Sequence, residues 1–192
     1  ADLKITDIRG ATVRAGGENY PIIKIYTNQD VYGLGEVRDS GRLSQALIYK
    51  SFLIGQDPLN IEAILKRIKP LAGQSRNGGG YSAIDMALCD IAGKVLGIPA
   101  YRLFGSKRRS KVSAYCDTPS ETDIEVYKSL MKKRLDMGFT HYKMDLQKRL
   151  YQNKPGALSG QSPTDKGLAY MGEFVEAVRS VIGYDKVLGA DH

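Results

Sequence analysis

The sequence predicts two regions of different fold class, an α+β region over residues 1–110 and the start of an α/β barrel over residues 111–192. In the first region, three β-rich runs come before several helical runs. In the second region, strand and helix patterns alternate, which indicates parallel strands joined by right-handed crossovers. Two of these strands end in charged residues, and strand ends are where α/β barrels carry their active sites.

The α+β region begins with runs of β-forming residues at 5–13, 20–26 and 31–37. The segments between them, 16–19 and 28–30, contain Gly, Asn and Asp, which favour turns. We therefore predict an antiparallel meander of three strands.

Three helices are predicted after the meander. The first spans residues 43–55, and the second has Asp57 as its N-cap with Pro58 at the first helical position. The third is predicted to open with a capping pair, Ser82 and Asp85. Helical spacing predicts a buried face on this third helix that consists of Ile84, Leu88, Ile91 and Val95.

The second region is predicted to contain three strands and two helices. The strands are 112–116, 140–146 and 186–191; one helix is capped by Ser120 and Asp123 and runs to Met137, and the other is 168–182. A complete eight-stranded barrel needs roughly 250 residues, far more than this region has. A free three-stranded sheet would leave long apolar edges exposed, so we expect the start of a longer barrel.

Composition and charge narrow the functional classes. The chain is 42% hydrophobic and 26% charged, has no run of 18 apolar residues and has no signal-like start, so we expect a cytoplasmic protein without a membrane span. Cys89 and Cys116 are expected to be free thiols. The net charge of +7 comes without a nucleic-acid-binding motif, so we predict no nucleic-acid partner. A positive field would attract a small anionic substrate.

The charged strand ends supply the candidate site residues. Lys143 and Asp145 lie two residues apart and therefore share one face of their strand, as Gly189 and Asp191 do on theirs. His192 follows directly and is a candidate acid/base group or substrate contact, with a packed histidine as the alternative. From the residues alone, Asp191 is either a metal ligand or a loop cap, and Asp145 is either a site residue or a structural partner of Lys143.

Three segments resemble the enolase superfamily, in its mandelate racemase and muconate lactonising enzyme branch. They are the helix 82–94 with its continuation 97–105, the strand end Tyr32-Gly33-Leu34-Gly35-Glu36, and the strand entry 138–143. The resemblance implies an α+β capping domain followed by the first part of an α/β barrel of TIM type, (β/α)7β. It covers essentially the whole chain.

The resemblance also implies a chemistry, the abstraction of a proton α to a carboxylate with Mg²⁺ as cofactor. Concentrated positive charge stabilises the enediolate that forms, and Mg²⁺ prefers carboxylate ligands. Asp191 matches the first of three metal ligands, and Lys143 matches a lysine that polarises the substrate carboxylate. Many relatives have a second lysine as a base where this chain has Asp145. We therefore expect a lyase that dehydrates a sugar acid by β-elimination.

Other expectations follow from position within the family. Tyr20 and Arg38 fall on capping-domain loops and are candidate substrate contacts, while His141 is expected in the barrel core. The connection 147–166 is expected to be a lid or a disordered loop, with Lys148 among its basic residues. A homo-oligomer is expected. The alternatives are a racemase, epimerase or cycloisomerase of the same superfamily, and a non-catalytic relative that kept the fold.

Overall fold

The computed structural model describes residues 2–38, 41–73 and 78–191. The chain divides into two compact units, Ala1–Arg108 and Arg109–His192. The division lies in the basic segment 107–111. Among the described residues, no helix is both long and apolar enough to cross a membrane.

The first unit contains the predicted meander. Strands β1 (Ile5–Ala15), β2 (Glu18–Thr27) and β3 (Tyr32–Glu36) pair antiparallel in the order β1-β2-β3. The β1–β2 turn uses Gly16 and Gly17, whose φ angles of 58° and 89° favour glycine. The prediction of three antiparallel strands is therefore confirmed.

In the described residues of this unit, four α-helices follow: α1 (Ser44–Leu47), α2 (Lys50–Leu53), α3 (Ile61–Ile68) and α4 (Gly79–Leu96). The single helix predicted over residues 43–55 is wrong, because the chain turns between α1 and α2. Short 3-10 helices cover Lys69–Leu71 and Ala100–Leu103. One face of the sheet and the helices enclose the core, in which Ile23, Ile25 and Leu88 are fully buried.

The predicted helix starts need correction in two places. Helix α3 starts at Ile61, not at Pro58, because the Asp57 carboxylate accepts a hydrogen bond from the Leu59 backbone N–H at 2.9 Å and forms a turn instead. Helix α4 starts at Gly79, so Ser82 and Asp85 lie inside it and cap nothing.

Helix α4 buries the predicted face except at its end. Ile84, Leu88 and Ile91 are fully buried, whereas Val95 is 41% exposed. The prediction that Val95 is buried is therefore wrong. Gly97 ends the helix with a φ of 67°, in the left-handed conformation typical of a C-terminal glycine.

Helix α4 lies directly against β3, and two glycines permit this approach. A Cβ atom on Gly33 would lie 1.9 Å from the Ala87 carbonyl oxygen, and one on Gly35 would lie 2.0 Å from that of Ala83. The backbones of β3 and α4 can therefore come this close only because β3 has glycine at the two positions that face the helix.

Side chains of α4 also hold β3 in place. Asp90 accepts a hydrogen bond from the Leu34 backbone N–H at 2.9 Å and one from Lys94 Nζ at 2.7 Å. Lys94 Nζ donates in addition to the Tyr32 carbonyl at 2.8 Å. Two of the three segments that resemble the superfamily, β3 and α4, thus pack directly against each other.

The second unit is built on a parallel sheet. Strands β4 (Cys116–Asp117), β5 (His141–Asp145) and β8 (Val187–Asp191) pair in the order β4-β5-β8, which confirms parallel pairing. The strand predicted over residues 112–116 is much shorter. Val112 is 77% exposed, so it has no packing partner that would stabilise a longer strand.

Helices α5 (Ile124–Asp136) and α6 (Asp165–Ile182) follow the first two strands. Asp123 caps α5 as predicted, whereas Ser120 accepts a hydrogen bond from Arg149 instead. Tyr142 and Met144 of β5 are buried with apolar residues of both helices, which include Tyr127, Met131, Phe174 and Val178. The helices therefore cover one face of the sheet.

The connection between β5 and α6 contains secondary structure, so the disordered alternative is wrong and the lid stays a prediction. It contains a 3-10 helix, Lys148–Leu150, and a short hairpin of β6 (Leu158–Ser159) and β7 (Ser162–Pro163). Leu150, Tyr151 and Ala157 are buried in the core of the unit. These apolar anchors account for the order.

Candidate active site

The candidate site lies at the carboxyl ends of the three parallel strands of the second unit. Asp145 is in register with Asp191, and Lys143 is in register with Gly189 on one side and with Asp117 on the other. Side chains two apart on a strand share a face. Tyr142 and Met144 occupy the helix-covered face, so Lys143 and Asp145 belong to the opposite one.

Lys143 lies at the centre of a cluster of charges, with a carboxylate from each of the three strands around it. Its Nζ donates a hydrogen bond to Asp191 Oδ2 at 2.9 Å. The same nitrogen lies 3.1 Å from Asp145 Oδ1 and 3.3 Å from Asp117 Oδ1. We call these four residues the strand-end cluster.

The cluster keeps Lys143 protonated. The pKa of Lys143 is raised, chiefly by its hydrogen bond to Asp191 and then by Asp145, and partial burial opposes this only in part. A cation held in this way attracts an anionic substrate group, but it does not accept a proton near neutral pH.

Asp145 is held by two neighbours. Its Oδ2 accepts a hydrogen bond from Gln147 Nε2 at 3.1 Å. Its Oδ1 is buried and close enough to Lys143 for an ion pair, but it lacks the alignment of a hydrogen bond. The side chain is therefore a close ionic partner of Lys143.

Asp117 is the member of the strand-end cluster that sequence reasoning missed. It directly follows the predicted strand 112–116, just as Asp145 ends the next strand. The rule that selected Asp145 and Asp191 would also have selected Asp117. Tyr115 lies nearby, with its ring centroid 5.8 Å from Lys143 Nζ.

The two histidines have different outcomes. His192 lies outside the described residues. His141 is exposed, and its Nδ1 lies 2.9 Å from Thr140 Oγ1, so the expected buried core position is not observed in this unit.

The two candidate substrate contacts belong to the first unit. Tyr20 is predicted on a loop, but it is half-buried within strand β2, where it pairs with Val13. Arg38 follows β3 and lines a cavity of about 760 Å³ together with Glu36 and Lys69. The structure thus brings Lys143, Asp145 and Asp191 together, while a role for Tyr20 and Arg38 stays a prediction.

Asp191 is the predicted metal ligand within the described part of the chain. The Asp191 carboxylate is 47% exposed at a strand end, and its oxygens are of the type that Mg²⁺ prefers. Over residues 2–38, 41–73 and 78–191, no group of three or more His, Cys, Asp or Glu side chains is arranged to hold a metal ion. Asp191 therefore fits a metal site as one contributor, not as a complete site.

Comparison with known proteins assigns the family. Residues 6–105 match the model of the mandelate racemase / muconate lactonizing enzyme N-terminal domain. The chain therefore belongs to this family, within the enolase superfamily.

Curated relatives of the chain carry dehydratase names. A D-galactonate dehydratase family member from Musicola paradisiaca is 34% identical over 75% of this chain and 36% of its own length. The D-xylonate dehydratase of Haloferax volcanii is 30% identical over 95% of this chain and 46% of its own length. The chain thus spans less than half the length of these two relatives.

Solved structures share the fold. A member of the enolase superfamily from Salmonella Typhimurium is 26% identical with a TM-score of 0.80, over 98% of this chain and 54% of that one. An enolase from Pantoea ananatis with bound D-gluconate and Mg is 25% identical with a TM-score of 0.74, over 99% of this chain and 53% of that one. A mandelate racemase/muconate lactonizing enzyme-like protein from Rubrobacter xylanophilus has a TM-score of 0.81 over 100% of this chain and 54% of that one. It is only 22% identical, so this similarity shows a shared fold and nothing about function.

Proposed function

We propose that this chain is part of a Mg²⁺-dependent hydro-lyase that removes water from a sugar acid. The observation that carries the proposal is the Lys143–Asp191 pair at the ends of adjacent parallel strands. The names of the curated relatives, D-galactonate and D-xylonate dehydratases, support a sugar-acid substrate. The D-gluconate and Mg in the Pantoea ananatis structure support the same substrate class and cofactor.

The proposed architecture is a capping domain over residues 1–110 followed by the first three strands of a (β/α)7β barrel, over 111–192. Two observations support it. The strands β4, β5 and β8 are parallel and alternate with helices, as in an α/β barrel. The face that carries Lys143 and Asp191 is opposite to the helices, which corresponds to the inside of a barrel.

Asp191 is the residue of this chain that would hold the metal. A bound Mg²⁺ supplies the positive charge that stabilises a substrate carboxylate as its α-proton leaves. The fit rests on a partly exposed carboxylate at a strand end, which is where barrel enzymes collect their ligands.

Lys143 would bind and orient the substrate carboxylate. Its ammonium group is fixed at the strand ends by three carboxylates and stays protonated, so it stabilises negative charge but does not act as the base. Asp145 would position Lys143, because it is a close ionic partner held from its other side by Gln147.

This arrangement favours elimination over racemisation. A two-base racemase needs a proton acceptor on each face of the substrate, and in many relatives the second lysine of this strand is one of them. Here that position is Asp145, paired with a cation. Abstraction from one face breaks the Cα–H bond, forms a Cα–Cβ double bond and expels the β-hydroxyl, which leaves as water once protonated. The enol then tautomerises to a 2-keto-3-deoxy acid.

His192, Tyr20 and Arg38 complete the proposal. His192 directly follows Asp191 and would serve as an acid/base group or contact a substrate hydroxyl. Tyr20 and Arg38 would contact the distal end of the sugar acid from the capping domain. The partial burial of both side chains leaves them able to make such contacts.

The test is a substrate screen with the natural protein that carries this chain. D-galactonate, D-xylonate and D-gluconate are incubated with Mg²⁺, and the 2-keto-3-deoxy product is measured. We expect product from at least one sugar acid, and a loss of roughly 10²-fold or more in kcat for Lys143→Met, as for other groups that stabilise developing charge. Asp136→Asn is the matched control, since Asp136 forms an exposed helix ion pair with Lys132.

Two outcomes would contradict the proposal. Solvent deuterium at Cα with inversion and no loss of water would identify a racemase or epimerase. No product from any sugar acid and no Mg²⁺ binding would identify a non-catalytic relative.

A further inference from the structure

The strand-end cluster has more negative charge than one lysine neutralises. Asp117, Asp145 and Asp191 all lie within 3.3 Å of the single nitrogen Lys143 Nζ. With all four groups ionised the cluster carries a net charge of −2, from three carboxylates and one ammonium. This excess of negative charge attracts a further cation to Asp191, whereas the described carboxylates are not arranged to hold a metal ion by themselves.

Lys143 makes its shortest contact with the carboxylate that the metal would use. The Nζ–Oδ2 distance to Asp191 is 2.9 Å, against 3.1 Å to Asp145 and 3.3 Å to Asp117. A carboxylate oxygen that accepts a hydrogen bond from an ammonium group has less negative charge available for a metal. Two cations on one carboxylate also repel each other.

We propose that Lys143 and the metal ion compete for Asp191, and that Asp117 and Asp145 hold Lys143 when Asp191 turns to the metal. The inference rests on the proposed function and goes beyond it, because it makes Asp117 a positioning residue and Lys143 a regulator of metal affinity. The Lys143 ammonium occupies Asp191 in the metal-free protein, so this carboxylate has a cationic partner before the metal binds. When the metal binds, Lys143 remains at the strand ends, where a substrate carboxylate is within its reach.

The geometry allows this exchange without movement of the backbone. Asp117 is directly opposite Lys143 in the β4–β5 register, and Asp145 is on the same strand and face as Lys143. The nitrogen already lies within ion-pair distance of both. A rotation about the lysine side chain is therefore enough to lengthen its contact with Asp191.

Removal of Lys143 should strengthen metal binding. The side chains in these pairs are 27–62% exposed, and partly exposed ion pairs contribute at most about 1 kcal/mol. We therefore expect Lys143→Met to lower the Kd for Mn²⁺, the probe ion, by about threefold to fivefold. Lys143→Arg keeps the charge and should change the Kd less than Lys143→Met does.

Substitution of Asp117 distinguishes competition between Lys143 and the metal from a direct effect of the Asp117 charge on the metal. Asp117→Asn removes one holder of Lys143, so Lys143 stays longer at Asp191 and the Kd for Mn²⁺ rises about twofold to fivefold. In the Lys143→Met background there is no lysine to hold, and the effect of Asp117→Asn should fall below twofold. If Asp117 acted only through its own charge on the metal, the two effects would be equal, and the double-mutant cycle separates these cases.

The experiment is a Mn²⁺ titration of the natural protein that carries this chain, followed by electron paramagnetic resonance of free Mn²⁺. Asp191→Asn defines the site, and circular dichroism checks that each variant is folded. Competition is supported if Lys143→Met tightens binding and the effect of Asp117→Asn depends on Lys143. Competition is overturned, and the proposed function is not, if Mn²⁺ binding requires Asp191 but Lys143→Met leaves the affinity for Mn²⁺ unchanged or weakens it. A wild-type protein that binds no Mn²⁺ overturns both this inference and the proposed function.

Discussion

The contact between β3 and α4 offers the sharpest test of the fold, through the substitutions Gly33→Ala and Gly35→Ala. The added Cβ would lie 1.9 Å from the Ala87 carbonyl oxygen in the first variant and 2.0 Å from that of Ala83 in the second. Both obstacles are backbone atoms in the middle of a helix, so no side-chain rotation relieves the clash.

The size of the effect follows from these distances. Real Cβ atoms essentially never approach other atoms closer than 3.0 Å, so at Gly33 the helix and strand must separate by about 1.1 Å. That movement also stretches the 2.9 Å hydrogen bond from the Leu34 backbone to Asp90. Overpacking costs about 1–3 kcal/mol, and loss of a hydrogen bond to a charged group adds about 1.5–3 kcal/mol. We expect each variant to lose about 3 kcal/mol or more of unfolding free energy.

Urea unfolding followed by circular dichroism measures this loss, and Gly10→Ala in the same sheet is the matched control. A Cβ on Gly10 would meet the flexible end of the Leu43 side chain at 2.6 Å and the Ile22 carbonyl oxygen at 3.1 Å. Because Leu43 can rotate away, we expect the control to lose about 1 kcal/mol or less. The reasoning is refuted if Gly33→Ala and Gly35→Ala are no more destabilising than Gly10→Ala.

Three further predictions concern stability and reactivity. Lys50, and then Arg9, lower the pKa of Asp7 from 3.8 to about 2, so the stabilising contribution of Asp7 is present above pH 4 and is lost as the pH falls through 2. Between these pH values, the free energy of unfolding should fall less steeply for Asp7→Asn than for the wild type. Identical profiles would contradict this. Burial, together with Asp85, raises the pKa of the Cys89 thiol to about 11. In the folded protein, Ellman's reagent should therefore modify the half-buried Cys116 at least about tenfold faster than Cys89, and in urea it should modify both thiols at the same rate. Equal rates in the folded protein would refute this. Asp123→Ala removes two N-cap hydrogen bonds from α5 and should cost about 1 kcal/mol in urea unfolding, and an unchanged midpoint would contradict the cap.

Local sequence pattern was sufficient for most of the secondary structure. The alternation of apolar residues and the turn residues between them located β1, β2 and β3 within a few residues, and Asp123 marked the start of α5 correctly. These signals are properties of neighbouring residues, so they are visible without the fold.

The errors arose where one local signal permits two structures or where a distant segment decides between them. Asp57 looks like an N-cap, but its carboxylate stabilises a turn. Helix α4 starts before Ser82, because Gly79 and Gly80 form its first residues. A Cβ on Gly80 would lie 1.9 Å from the Gln45 carbonyl oxygen, so this position beside the Gln45 backbone requires glycine. Val95 has helical spacing, but it lies in the last turn of α4 and is 41% exposed.

The strand-end cluster divides in the same way. Alternation along single strands placed Lys143 with Asp145 and gave Asp191 its face, and the family resemblance supplied the expected roles. The register between strands is a long-range property, and it is this register that brings Asp117 and Asp191 to the same lysine nitrogen. Chain pattern therefore identified the charged groups, whereas tertiary pairing created the ionic contacts among them, because residues from three strands meet only when the sheet forms.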